Sequence, residues 1–103
     1  MVMYVDLLSR ALAIADDADC RRAVEDFADA TDRLHLCQSD PYVGVEEVVA
    51  VEVEYDRALL RLARFFGLDA SPERFTSPGS ERQRLEGALA ERSPLVHTLL
   101  ARR

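Results

Sequence analysis

Apolar positions recur every three to four residues along most of the chain, the spacing that gathers side chains on one face of an α-helix. Tyr4, Leu7, Leu8, Ala11, Leu12 and Ala15 predict a first helix from about Met3 to Ala15. The acidic cluster Asp16, Asp17 and Asp19 then ends it and lies where it can cap a second helix, whose positive N-terminal end favours carboxylates. That second helix is expected from about Ala18 to Gln38, because Cys20, Val24, Phe27, Thr31 and Leu34 form a regular seam.

Ser39-Asp40-Pro41 breaks the pattern, since proline restrains the residue before it and suits the first turn of a helix. The third helix then extends to Phe66, where Gly67 followed by apolar Leu68 carries the signature of a left-handed C-terminal cap. Two long helices joined by so short a link are expected to lie antiparallel. Ser71-Pro72-Glu73 reads as a capped turn that can start a short helix, and Thr76-Ser77-Pro78-Gly79 reads as loop. Ser80, with Gln83 three places on, has the spacing of a capping box for a fourth helix. Leu85, Ala88 and Leu89 stay in phase with Val96, Leu99 and Leu100, but Pro94 cannot donate to Ala90, so a kink or break is expected at Ser93-Pro94.

The third helix carries the unusual signal. At about 100° per residue, Val48, Val51, Tyr55, Ala58, Leu59, Leu62, Phe65 and Phe66 share an arc of roughly 120°. Val45, Val49, Val53, Leu60 and Ala63 share a second arc about 150° away, and Asp56 falls inside it. A helix apolar on two sides needs cover on both, either from the first and fourth helices or from a second copy or a protein partner. An acid in such an arc should meet an arginine across the interface or stay at its wet rim. Val49, Val51, Val53 and Tyr55 also alternate as a half-buried strand would, but the helical phase runs on unbroken to Phe66 and no second strand is evident to pair with it.

These elements predict an all-α fold over residues 1–103 as a single domain: a four-helix bundle with a long antiparallel central hairpin and a last helix kinked or broken at Pro94. A chain of this length buries roughly 65% of its unfolded surface, enough for one core. All thirteen basic residues are arginine, and lysine, asparagine and tryptophan are absent, a composition expected of a GC-rich, bacterial genome. Neither a secretory signal nor an apolar run near the ~20 residues of a membrane span is visible. Cys20 and Cys37 fall on one predicted helix about 25 Å apart, too far to bond, which suits a reducing cytoplasm.

The net charge of −6 disfavours nucleic acid as a main partner. Charge is uneven: residues 1–40 carry nine acids against four arginines, residues 41–70 six against three, and residues 71–103 four against six, giving −5, −3 and +2. An acidic front and a mildly basic tail suit an antiparallel contact within or between chains.

Candidate chemistry is sparse. Asp32 and His35 have the i, i+3 spacing of carboxylate-bridged metal sites, but the second copy that such a site needs is missing, because Ser93 and Pro94 stand upstream of His97. A boundary histidine and a solvated aspartate are expected instead. Glu46, Glu47, Glu52, Glu54 and Asp56 lack the phosphate loop, nucleophile or metal motif that a mechanism requires. Arg57, Arg61 and Arg64, with Arg82, Arg84, Arg92, Arg102 and Arg103, offer basic surface without aromatic interleaving, and so read as a solvated, salt-bridged face. No cofactor is expected. The reading that follows is a non-enzymatic cytoplasmic interaction or regulatory domain, homodimeric or joined to a helical partner, with Val45, Val49, Val53, Asp56 and Leu60 as contact surface. The alternatives are a small ligand-binding or metal-dependent enzyme with a site inside the bundle, around Asp32, His35 and the acids of the third helix, and a nucleic-acid-associated regulator.

Overall fold

The computed structural model describes residues 3–14 and 20–101. Within them the chain forms α1 (Met3–Ile14), α2 (Cys20–Ser39), α3 (Val45–Phe65), a 3-10 turn (Pro72–Thr76), α4 (Pro78–Arg92) and α5 (Pro94–Ala101). No strand occurs among the described residues, so the alternating valines of 49–55 belong to a helix. The acidic cluster Asp16, Asp17 and Asp19, the predicted ends at Ala15 and Ala18, and Arg102 and Arg103 lie outside the described residues.

Of the predicted α2 seam, Phe27, Thr31 and Leu34 are buried and Val24 is half-buried, and Ala23 and Ala30 are buried as well. Thr31, the polar member, satisfies its hydroxyl on the Phe27 carbonyl at 2.8 Å. Arg61 meets Asp26 at 3.5 Å and Glu54 meets Arg33 at 3.2 Å, so residue numbers run in opposite directions and α2 lies antiparallel to α3. The Phe27 and Tyr55 rings pack between these pairs with centroids 5.5 Å apart.

The turn between the two helices places Pro41 outside α3. Asp40 accepts the Tyr42 amide at 2.9 Å, an aspartate turn, and Gly44 is extended at φ −77 and ψ 158, so the first helical residue is Val45. The other end follows the expected cap. Leu68 N–H bonds the Ala63 carbonyl at 3.0 Å and Gly67 N–H that of Arg64 at 3.1 Å, with Gly67 at φ 74. This is the doubly bonded left-handed stop that glycine adopts without a Cβ clash.

The predicted fourth helix is two helices. Ser93 is extended, closes α4 by donating its N–H to Leu89 at 2.9 Å, and opens α5 by accepting the Val96 amide on its hydroxyl at 3.3 Å. Proline at the next position has no N–H to leave unbonded. α4 also begins earlier than the Ser80–Gln83 spacing suggests: Pro78 is its first residue and Ser77 its cap, with no side-chain bond to the helix. The restricted φ of proline suits that first turn, and it displaces the expected capping box by three residues.

The core is continuous across these elements. α1 packs on α3 and on the 3-10 turn, which delivers Phe75 to full burial beside fully buried Leu8 and Leu60 in the same cluster. α4 and α5 close the other side with Leu85, Leu89, Val96 and Leu99. No described helix is long and apolar enough to cross a membrane.

Candidate functional site

The two apolar arcs of α3 have different fates along its length. From Val53 to Ala63 both are enclosed: Val53, Tyr55, Asp56, Ala58, Leu59, Leu60, Leu62 and Ala63 are all buried. In the first turns they are not, since Val45 is 80% exposed and Val48 and Val49 are half-buried. Of the five predicted contact residues, Asp56 and Leu60 therefore lie inside the subunit and cannot be contact surface. α1 packs along α3, and Arg82 from α4 reaches Asp56 in the second arc. Val45 and Val49 stay open, and Val53 lies at the boundary.

At that boundary an open groove of about 350 Å³ separates α1 from the first half of α3. Leu7, Val49, Ala50 and Val53 make its apolar lining, and Glu46 and Glu54 add two carboxylates. Tyr42, 93% exposed, stands in the turn just before α3.

Beyond the groove, Asp56 forms a polar cluster that ties three helices together. Arg82 from α4 donates to both its oxygens at 2.7 Å, Nε to Oδ1 and Nη2 to Oδ2, and the Tyr4 hydroxyl from α1 donates to Oδ2. Arg82 also reaches Tyr4 and Glu52, each at 3.5 Å. Burial pushes the Asp56 carboxyl above its ordinary range, against the Arg82 and Tyr4 hydrogen bonds and the Arg82 charge, which pull it down. Burial likewise raises the Tyr4 phenol, and the neighbouring Asp56 charge and hydrogen bond raise it further. Desolvation disfavours the Arg82 cation, but its bonds and charge pairing with Asp56 more than offset that, so it holds its proton more tightly than a free guanidinium. Every oxygen of Asp56 is thus bonded within the chain. The cluster fastens α1, α3 and α4 together, with Asp56 at its buried centre and Arg82 and Glu52 partly exposed at its edge.

The expected basic face is also largely occupied. Arg61 retains 10% side-chain exposure in its pair with Asp26. Arg64, Arg84 and Arg92 donate to the carbonyls of Ala70 at 3.2 Å, Asp69 at 2.7 Å and Phe66 at 3.0 Å, so three arginines hold the backbone that leads from α3 to the 3-10 turn. Arg84 also grips buried Glu81 at 2.6 and 2.8 Å. Arg57 Nε is buried without a hydrogen-bond partner among the described residues.

Asp32 and His35 are both exposed on α2. Among the described residues no three histidine, cysteine, aspartate or glutamate side chains gather in a way that could hold a metal ion. The sequence reading did not single out Phe75, Glu81 or the Tyr4–Arg82 link. Pro72 and Phe75 in a short polar stretch were the available signal for the first, but nothing local marks the others.

Comparison of the chain with protein families, curated proteins and solved structures gives no match.

Proposed function

We propose that this chain is a non-enzymatic, cytoplasmic helical interaction domain that receives a partner helix in the groove between α1 and the first half of α3. The observation that carries it is the contrast along one helix: the same apolar arc is buried from Val53 onward, half-buried at Val49 and exposed at Val45. An apolar strip at an open groove is where an amphipathic helix lays its own apolar side chains. A second copy of the chain is the other occupant to test.

Two readouts test this reading together. Light scattering behind size exclusion over a concentration series detects self-association, and fluorescence anisotropy of a labelled amphipathic helical peptide with a neutral polar face detects heterologous docking. One of the two should register association in the native chain and lose it in the Val45→Glu, Val49→Glu double variant. A strict monomer that ignores the peptide, or association untouched by the double variant, contradicts the reading.

A further inference from the structure

Resting on that reading, we infer that the groove selects a partner helix whose apolar stripe is flanked by lysine or arginine, and that a second copy of this chain does not fill it. Glu46 and Glu54 are the charged residues among the described lining of the groove, and no cation is among them. Glu46 and Glu54 are eight residues apart on α3, which at about 1.5 Å per residue places them about 12 Å apart along the axis. A partner helix laid along α3 presents residues seven or eight apart at nearly the same interval. Long basic side chains two turns apart could reach both glutamates, Glu54 lying about 80° further round α3 than Glu46, while the stripe between them covers Leu7, Val49 and Val53.

Glu46 is exposed and has no ion-pair partner among the described residues. Glu54 meets Arg33 at 3.2 Å, but both side chains are about half exposed, at 48% and 58%, and pairs of that kind contribute little. A desolvated basic side chain from a partner therefore has weak competition. As first-turn acids, Glu46 and its neighbour Glu47 also favour the positive end of the α3 dipole. That accounts for acids at the start of the helix, while Glu54, two turns further in on the same groove, pairs with Arg33 of α2.

A second copy is a poor occupant on two grounds. Two-fold pairing of the same face would bring the Glu46 and Glu54 carboxylates of both copies together, and like charges across an interface disfavour it. The arginines of this chain that have the required spacing are also engaged: Arg84 and Arg92, eight apart, bond the Asp69 and Phe66 carbonyls, and Arg64 bonds that of Ala70.

The test uses three peptides with one leucine stripe and lysine, glutamine or glutamate flanks, titrated by anisotropy against the full chain, its Glu46→Lys, Glu54→Lys variant and its Val49→Glu variant. The lysine-flanked peptide should bind at least about tenfold more tightly than the glutamate-flanked one at low salt, and the gap should shrink as salt screens the charges. The Glu46→Lys, Glu54→Lys variant should reverse the order. Val49→Glu adds negative charge, so diffuse attraction to an acidic protein predicts tighter binding, whereas docking in the groove predicts weaker binding. Equal binding of all three peptides, lost with Val49→Glu, would overturn the charge selection and leave the interaction reading standing. A native dimer split by Val49→Glu would overturn the inference in favour of a second copy. Binding of none of the peptides, with a strict monomer, would overturn both.

Discussion

Arg82 and Asp56, on different helices and 26 residues apart, face each other through two parallel hydrogen bonds of 2.7 Å, and the carboxylate has no exposed surface. Planar guanidinium matched to carboxylate is the strongest form of this pairing, and the Tyr4 hydroxyl completes it. The cluster joins α1, α3 and α4 at one buried point. Asp56→Ala leaves the partly buried Arg82 charge uncompensated and is expected to lower unfolding free energy by about 3 kcal/mol or more in urea titrations. Asp56→Leu combined with Arg82→Met should recover much of that loss. A double variant as unstable as the sum of its two single changes would show that the pair is not coupled.

Tyr4 supplies the pH dependence. Its phenol ionises at a higher pH in the folded protein than in the unfolded chain. The folded state therefore keeps a proton that the unfolded state gives up. The contribution to stability is complete below the unfolded value near 10 and is lost as pH rises through the folded value. Urea midpoints measured from about pH 8 to 11 should fall more steeply for the native chain than for Tyr4→Phe above about pH 10. Parallel curves would contradict the buried position of this hydroxyl.

Two glycines should respond with opposite signs to the same change. At Gly67, φ is 74 and nothing lies within 4 Å of an added Cβ, so Gly67→Ala costs only backbone strain, about 1–2 kcal/mol. Gly87 is exposed inside α4 with equal room, and Gly87→Ala should add about 0.5–1 kcal/mol. Thermal unfolding of the two variants checks both.

The second arc of α3 should divide in the same way by stability. Leu60 is fully enclosed, and Leu60→Ala should cost about 2–5 kcal/mol. Val45 is largely exposed, so Val45→Glu should change stability by less than about 0.5 kcal/mol. A large loss at Val45 would mean that the fold itself depends on the strip assigned here to a partner.

The helices were legible because their signals are local. Period, the glycine stop at Gly67 and the missing amide of Pro94 each act within a few residues, and α1 to α3 and the break at Ser93 follow from them. The four helices expected became five for the same reason, since Ser93 can close one helix and cap the next. Partner choice was not legible. The sequence placed the arginine for Asp56 across an interface, whereas Arg82 of the same chain meets it, and nothing local names Arg82 over Arg57 or Arg61, because that pairing depends on where α4 returns. The arginines read as a solvated face instead bond carbonyls of residues 66–70, a use that leaves no periodicity. The two-sided apolar pattern says that α3 needs cover all round, but not that the cover within the chain stops short of Val45.

The central claim is that the open first half of α3 is the surface a partner helix occupies, and amide chemical-shift mapping during titration with the lysine-flanked peptide tests it most directly. The account predicts saturable shifts concentrated at Leu7, Val45, Val49, Ala50 and Val53, with the amides of α4 and α5 unmoved. Shifts scattered over the acidic surface of α2, or none that saturate, would contradict it.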